Sequence, residues 1–350
     1  PGPRRSEMRM ERYLPCDDRW GLMMKFLKTI HKYESEFPAE GEDILAVETI
    51  VDPEVDNLPA GPLSAPDLRI GAPRTEVSVT NEKVFPVVTD RSTRMTPLLP
   101  LDTGSLGELP QVTTTIVNVE RVNPRLVSIT EPKSPYCEEY RNLRTQILHR
   151  SKKRKLQAIV IASVGPSEGK SVTAINLSWL FAQADGVRVL IIDSDLRRPS
   201  IAEYLGIETR SGLSEVLSEK ASLSESIIQL QPAGLYILPG GSPRSDVAEM
   251  ISGPRFSEIL KEARTFFDFV IIDAPPLGIF TDASLLINQT DGALLVIRAE
   301  HTKYKDVDRV LDSLPRERML GTILNQSEVP LMDESYYKYG LYDRNEPVRA

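Results

Sequence analysis

From about residue 136 onward, apolar β-branched runs alternate with stretches of helical periodicity. The runs are Ala158–Ala162, Val187–Ile192, Leu235–Leu238, Phe269–Ile272, Ala293–Ile297 and Thr322–Leu324. Between them, apolar residues recur at helical spacing over 136–150, 171–184, 199–205, 211–217, 255–266 and 303–314. Continuous apolar runs, without polar alternation, predict strands buried on both faces. Strands alternating with helices predict an α/β fold, a mostly parallel sheet with helices on both faces. Such sheets bind ligands beyond the carboxyl ends of their strands, so chemistry is expected just after each run.

The first third reads differently. Residues 36–135 hold 13 of the chain's 27 prolines, and segments such as Pro59–Pro66 suit neither helix nor central strand. The expected organisation is a short extension over 1–35, a largely disordered Pro-rich linker over 36–125, a globular domain over 126–330 and a flexible tail over 331–350. Within the extension, Leu22, Phe26, Ile30 and Tyr33 recur at helical spacing. They predict a helix over 20–35, either docked on a partner or membrane surface or without a specific role.

Composition narrows the function classes. A net charge of -8 over 350 residues argues against a nucleic-acid partner, which needs a basic surface. The basic run His149–Lys155 is a local exception, read as a solvated approach to the next strand. Cys16 and Cys137 form no metal-ligand spacing and no disulfide framework, so a reducing, cytoplasmic location is expected. No run approaches the roughly 18 apolar residues of a spanning helix.

The motifs sit where the sheet predicts them. After the first run comes Ser163-Val164-Gly165-Pro166-Ser167-Glu168-Gly169-Lys170-Ser171-Val172. A strand, a glycine-containing turn and a helix opening with Gly-Lys-Ser make an anion site, the P-loop of NTPases. Backbone N–H groups and the helix dipole face phosphates, Lys170 reaches the β and γ oxygens, and Ser171 ligates Mg2+. The strict pattern would place glycine at Val164; here it stands one position later. The second run ends in Asp193-Ser194-Asp195-Leu196-Arg197, with both aspartates on one side of the strand by alternation. Paired acids there can hold Mg2+ and accept a proton. Asp273 ends the fourth run before Ala274-Pro275-Pro276, and reads as a carboxylate contacting Mg2+ directly or through water. Thr281-Asp282 follows as a candidate reinforcement. ATP and Mg2+ are the expected cofactors.

The acceptor is suggested by the tail. Of 11 tyrosines, Tyr336, Tyr337, Tyr339 and Tyr342 lie in the final 15 residues. From Asn325 to Tyr336, 11 residues at about 3.4 Å each reach some 35 Å, far enough to enter a neighbouring molecule's site.

Together these motifs resemble the bacterial tyrosine kinases of capsule and exopolysaccharide synthesis over 132–345, about 60% of the chain. The resemblance implies a P-loop tyrosine autokinase, with Lys170, Asp193, Asp195 and Asp273 catalytic and Ser171, Asp193 and Asp273 at the metal. The family's second carboxylate motif matches Asp193, Asp195 and Arg197, and Asn325 resembles its adenine-side position. Glu138, Arg141 and Arg144 match its Glu-x-x-Arg-x-x-Arg oligomerisation motif, expected on one helical stripe away from Tyr140, Leu143 and Ile147. The tail tyrosines are the implied autophosphorylation sites, used in trans within a ring-like homo-oligomer. Asp193 or Asp195 is the implied base. Ser167 departs from the family's usual glycine, and 242–246 lacks its Asn-Pro pair. Because the family's membrane-spanning portion is missing, a separate transmembrane adaptor, a chain-length regulator of polysaccharide export, is the expected partner at the inner face of the membrane. The rival expectation is a partitioning-type ATPase that switches without phosphorylating protein.

Overall fold

The computed structural model describes residues 45–48, 106–108 and 111–327. The helix expected over 20–35 and the tyrosine tail lie outside them. Strands are β1 (Leu45–Glu48), β2 (Thr113–Ile116), β3 (Ala158–Ser163), β4 (Val189–Asp193), β5 (Ile228–Gln231), β6 (Leu235–Leu238), β7 (Phe269–Asp273), β8 (Gly292–Arg298) and β9 (Met319–Asn325). They form a single sheet in the order β1-β9-β8-β3-β7-β4-β6-β5-β2. Seven run parallel; β5 pairs antiparallel with β6, and β2 follows β5.

All six apolar runs become strands, and β3, β4 and β7 are buried at every position. Alternate side chains feed two cores. Val160 and Ile272 face one side with Phe256, Ile259 and Leu286. Ile159, Ile161 and Ile271 face the other with Leu143, Ile147, Ile175 and Phe181. Burial on both faces is why these strands lack polar alternation.

Each predicted helical period holds a helix, and four short helices, Val127–Thr130, Leu223–Ser226, Val247–Ser252 and Asp282–Asn288, fall outside those periods. In chain order the helices are α1 (Val127–Thr130), α2 (Pro135–Lys153), α3 (Lys170–Ala182), α4 (Ile201–Tyr204), α5 (Leu213–Leu217), α6 (Leu223–Ser226), α7 (Val247–Ser252), α8 (Pro254–Phe266), α9 (Asp282–Asn288) and α10 (Tyr304–Asp312). The start of α2 is set by Ser134, whose hydroxyl accepts from the Cys137 N–H, followed by Pro135 in the first turn. Both features are the usual helix-start chemistry. In α8, Phe256, Ile259, Leu260 and Ala263 bury one stripe.

Two strands fall inside 36–125, where the sequence predicts a linker. β1 pairs parallel with β9 and β2 with β5, so these segments complete the two edges of the sheet. Edge strands need no continuous apolar run, and Thr113–Ile116 is largely exposed, which hides it from a reading based on buried runs. No helix among the described residues is long and apolar enough to cross a membrane.

At the amino ends of the central strands, Asp291 ties the layers together. Its Oδ2 accepts from the N–H groups of Gln157 and Ala158 at 2.9 and 2.8 Å. The Arg264 guanidinium of α8 donates to both its oxygens at 2.7 and 2.9 Å. Asp291→Ala strands two backbone donors and a guanidinium, so it should cost about 2–4 kcal/mol. Urea denaturation checks this; a loss below about 1 kcal/mol would contradict it.

Candidate active site

Strand order builds the site. β7 lies between β3 and β4, and Asp193 pairs in register with Asp273. Two carboxylates therefore emerge at one level, beside the loop that leaves β3. That loop runs from Val164 to Gly169 and turns into α3. Gly169, at φ 92°, caps the helix. A Cβ there would lie 1.9 Å from Asn325 Nδ2, so glycine is required both by conformation and by contact. Asn325 ends β9 and donates through Nδ2 to the Glu168 carbonyl at 2.8 Å.

Glu168 shapes the loop from inside. Its Oε2 accepts from the Gly165 N–H at 2.9 Å, and its Oε1 accepts from the Thr302 hydroxyl. Glu168 approaches so closely that a Cβ at Gly165 would meet its Oε1 at 3.3 Å. This explains the displaced glycine of the motif: Val164 is buried in the core, while position 165 needs the space. Ser167 has φ 61°, in the left-handed region where glycine is at ease and other residues carry about 1 kcal/mol of strain.

The charged centre is Lys170, Asp193, Asp195 and Asp273. Lys170 Nζ lies 3.0 Å from Asp195 Oδ2 and 3.5 Å from Asp273 Oδ1. It also donates to the Ser171 hydroxyl at 3.2 Å. Asp193 Oδ2 accepts from the N–H groups of Ser200 and Ile201 at 2.9 and 3.0 Å, and its Oδ1 from the Asp195 N–H at 3.3 Å. All three aspartates are buried, Asp273 completely. Asp273 Oδ2 has no hydrogen-bond partner among the described residues.

Electrostatics follow from this crowding. Burial, and then the neighbouring Asp273 charge, push the Asp193 carboxyl up to about 7 against the pull of the Ile201 N–H. Burial also raises Asp273, with Lys170 opposing. For Lys170 burial disfavours the charge, but Asp273 and Asp195 outweigh it and hold the ammonium protonated, above the usual lysine range. Three buried carboxylates around one ammonium leave uncompensated negative charge, and an unpartnered carboxylate oxygen points into it. The donor set Ser171, Asp193 and Asp273 is all oxygen, the kind Mg2+ takes, so the residues fit a divalent cation beside a phosphate-binding loop.

A family model described as an AAA domain matches residues 156–317. The tyrosine-protein kinase YwqD of Bacillus subtilis is 35% identical over 225 residues, covering 64% of this chain and 94% of that protein. The chain belongs to the bacterial tyrosine-protein kinases. The succinoglycan biosynthesis transport protein ExoP of Rhizobium meliloti is 33% identical over 231 residues, which are 64% of this kinase chain but only 28% of ExoP. Among solved structures, the kinase domain of Escherichia coli tyrosine kinase ETK superposes with a TM-score of 0.55 at 26% identity, covering 59% of this kinase and 84% of that chain.

The remaining expected site residues of this kinase have defined partners in the fold. The guanidinium of Arg197 is engaged by other partners: its Nε donates to Asp282 at 3.0 Å, its Nη1 to the Ser245 carbonyl at 3.0 Å, and it lies 4.6 Å over the Phe280 ring. It braces the loop after β7 against 242–246, and Asp282 spends its charge there instead of reinforcing the metal site. Glu138 and Arg141 pair at the surface of α2. Arg144 is a correction. It is buried, and its Nη1 donates to the Leu180 carbonyl at 2.8 Å. The long stem lets it turn under α2 and reach the end of α3, so the three residues do not share one exposed stripe.

Contributors missed in the sequence include Thr302, Ser200 and Gly240. A Cβ at Gly240 would meet Pro199 at 2.7 Å and Asp193 Cγ at 3.5 Å. Its signal is legible, since it lies two residues beyond the run Leu235–Leu238, at a strand's carboxyl end. Thr302 and the backbone donors Ser200 and Ile201 carry no sequence signal.

Because the folded-state Asp193 value lies above its unfolded one, its contribution to stability is present near pH 4 and is lost as pH rises towards 7. Asp273, also raised, acts with the same sign. Nucleotide-free protein should therefore lose stability between pH 5 and 7, by at most about 1.4 kcal/mol per pH unit for each proton released. Asp193→Asn should flatten that slope, as read from urea midpoints; identical slopes in both proteins would contradict the assignment.

Proposed function

We propose that this kinase transfers phosphate from ATP to tyrosines Tyr336, Tyr337, Tyr339 and Tyr342 of a neighbouring copy, and in doing so regulates capsule or exopolysaccharide production. The observation that carries the reading is the meeting of the phosphate loop and three strand-end aspartates in one buried, negatively overcharged site. The names of YwqD and ExoP support the tyrosine-kinase activity and the polysaccharide role.

ATP with Mg2+, when bound, supplies the γ-phosphoryl group and the positive charge that the aspartates lack. Ser171, Asp193 and Asp273 would hold the metal. The backbone of 163–171 and the amino end of α3 receive the phosphates. Lys170, already protonated and free to exchange its aspartate partners for phosphate oxygens, stabilises charge in the transition state. The acceptor phenol is protonated at neutral pH, with an ordinary pKa of about 10, and its proton goes to a carboxylate. Asp193 is clamped by three backbone N–H groups, which suits orientation of the metal. Asp195 is slightly more exposed, its Oδ2 pairing with Lys170 and its Oδ1 accepting from the Arg198 N–H, which suits it as the proton acceptor.

The kinase unit in this reading comprises the described sheet to Ser327, with the tail as its substrate. Glu138 and Arg141 on the surface of α2 serve subunit packing, whereas Arg144 acts through the fold. A separate transmembrane adaptor holds the protein at the inner face of the membrane.

Purified full chain incubated with labelled ATP and Mg2+ should place label on Tyr336–Tyr342. Lys170→Ala should lower it by at least about 100-fold, and replacement of the four tyrosines by phenylalanine should abolish it while nucleotide binding persists. Phosphate release without phosphotyrosine would overturn the reading in favour of an ATPase switch.

A further inference from the structure

The basic run His149–Lys155 has a defined place in the fold. Lys152 and Lys153 close α2, Arg154 caps it, and Lys155 follows, all exposed. Arg154 donates to the carbonyls of Glu317 and Asp291, each at 2.8 Å. This draws the turn Arg316–Arg318, which precedes β9, against the end of α2. Arg318 in turn donates to the Thr290 carbonyl. The result is one basic surface at the amino ends of the strands, opposite the phosphate loop.

The acids near it are mostly spent. Asp291 is held by Arg264 and two backbone N–H groups. Asp312 pairs with Arg316 at 3.5 Å. Glu317 is exposed beside the patch. Among the described residues, no carboxylate forms an ion pair with Lys152, Lys153 or Lys155. A surplus of cations on one face of a chain with net charge -8 is a directed feature, and it fits a multiply anionic partner.

We infer that this surface binds the phosphorylated tail, residues 331–345 of the same or a neighbouring chain, and withdraws it from the active site. The inference rests on the tail being the kinase's own product. Charge discriminates the two forms of the tail. Over 328–350 the sequence carries five acidic and three basic residues, too balanced for strong attraction. Each phosphotyrosine adds about -1.5 to -2 and three strong acceptor oxygens, so modification of all four turns the tail into a polyanion. Lysine and arginine are the partners such groups take.

Reach permits it. β9 starts at the basic surface and ends at Asn325 beside the phosphate loop, a distance of about 20 Å at 3.3 Å per residue. Beyond Ser327, Tyr336 lies 9 residues on and Tyr342 15 residues on, or about 30 and 50 Å when extended. A tail leaving the catalytic end can therefore return along the domain to the opposite pole.

The test uses phosphatase-treated full chain and a fluorescent synthetic peptide of residues 331–345, carrying either four phosphotyrosines or none. The phosphopeptide should bind at least tenfold more tightly than the unmodified one, with an affinity that falls as salt rises. The triple variant K152E/K153E/K155E should lose at least tenfold, and K152Q/K153Q/K155Q less. These side chains are exposed, so both variants should melt within a few degrees of the parent. Equal binding of the two peptides, or undiminished binding by the charge-reversed variant, would overturn the inference. So would phosphatidylglycerol vesicles that retain the parent but not the variant while the phosphopeptide binds neither. Because the peptide's phosphates come from synthesis, failure here is distinct from failure of the chain to phosphorylate itself with labelled ATP.

Discussion

Everything in this kinase depends on excess negative charge buried at the carboxyl end of its sheet. Asp193, Asp195 and Asp273 leave adjacent strands within reach of one ammonium. Such a cluster is costly on its own, and it persists because the rest of the fold over-determines it. Strands β3, β4 and β7 are clamped by apolar packing on both faces. Three backbone donors hold Asp193, and the phosphate loop is pinned by Glu168 from within and by Asn325 from β9. The stability given up at these carboxylates is the means by which the site comes to want a metal-bound polyphosphate.

The two poles of the sheet divide the work. At one end the strands deliver carboxylates, and glycines at 165 and 169 let backbone and side chains crowd around the anion site. At the other, Asp291 gathers the start of β3 and α8, while α2 and the turn before β9 bring cations together. A parallel sheet makes this polarity unavoidable, because all its central strands point the same way. The catalytic pole sets one ammonium, Lys170, among three carboxylates, whereas exposed lysines gather at the opposite pole.

Much of this was legible in the sequence, for a physical reason. Strands buried on both faces must be continuously apolar, so an aspartate at the end of such a run announces itself, as Asp193 and Asp273 do. Helices packed along one stripe show their period, as α2 and α8 do. What escaped was structure whose energy is not apolar burial. β2 is an exposed edge of threonines held by backbone pairing, and β1 joins the sheet across more than 60 residues. Arg144 looked like a surface charge because helical geometry marks the position of its Cα but not the path of its stem. Arg197 sits in the expected motif, yet its partners, Asp282 and Ser245, come from distant segments that no local pattern connects to it.

The most direct test is a single substitution, Asp273→Asn, followed by two readings. It removes one charge from the buried cluster while keeping the shape. The variant should fold as stably as the parent or more so, yet bind nucleotide with Mg2+ at least tenfold more weakly in calorimetric titration, a difference of about 1.4 kcal/mol. A variant that bound magnesium-nucleotide as tightly as the parent would show that the buried charge is not what grips the cofactor, and the account would fail at its centre.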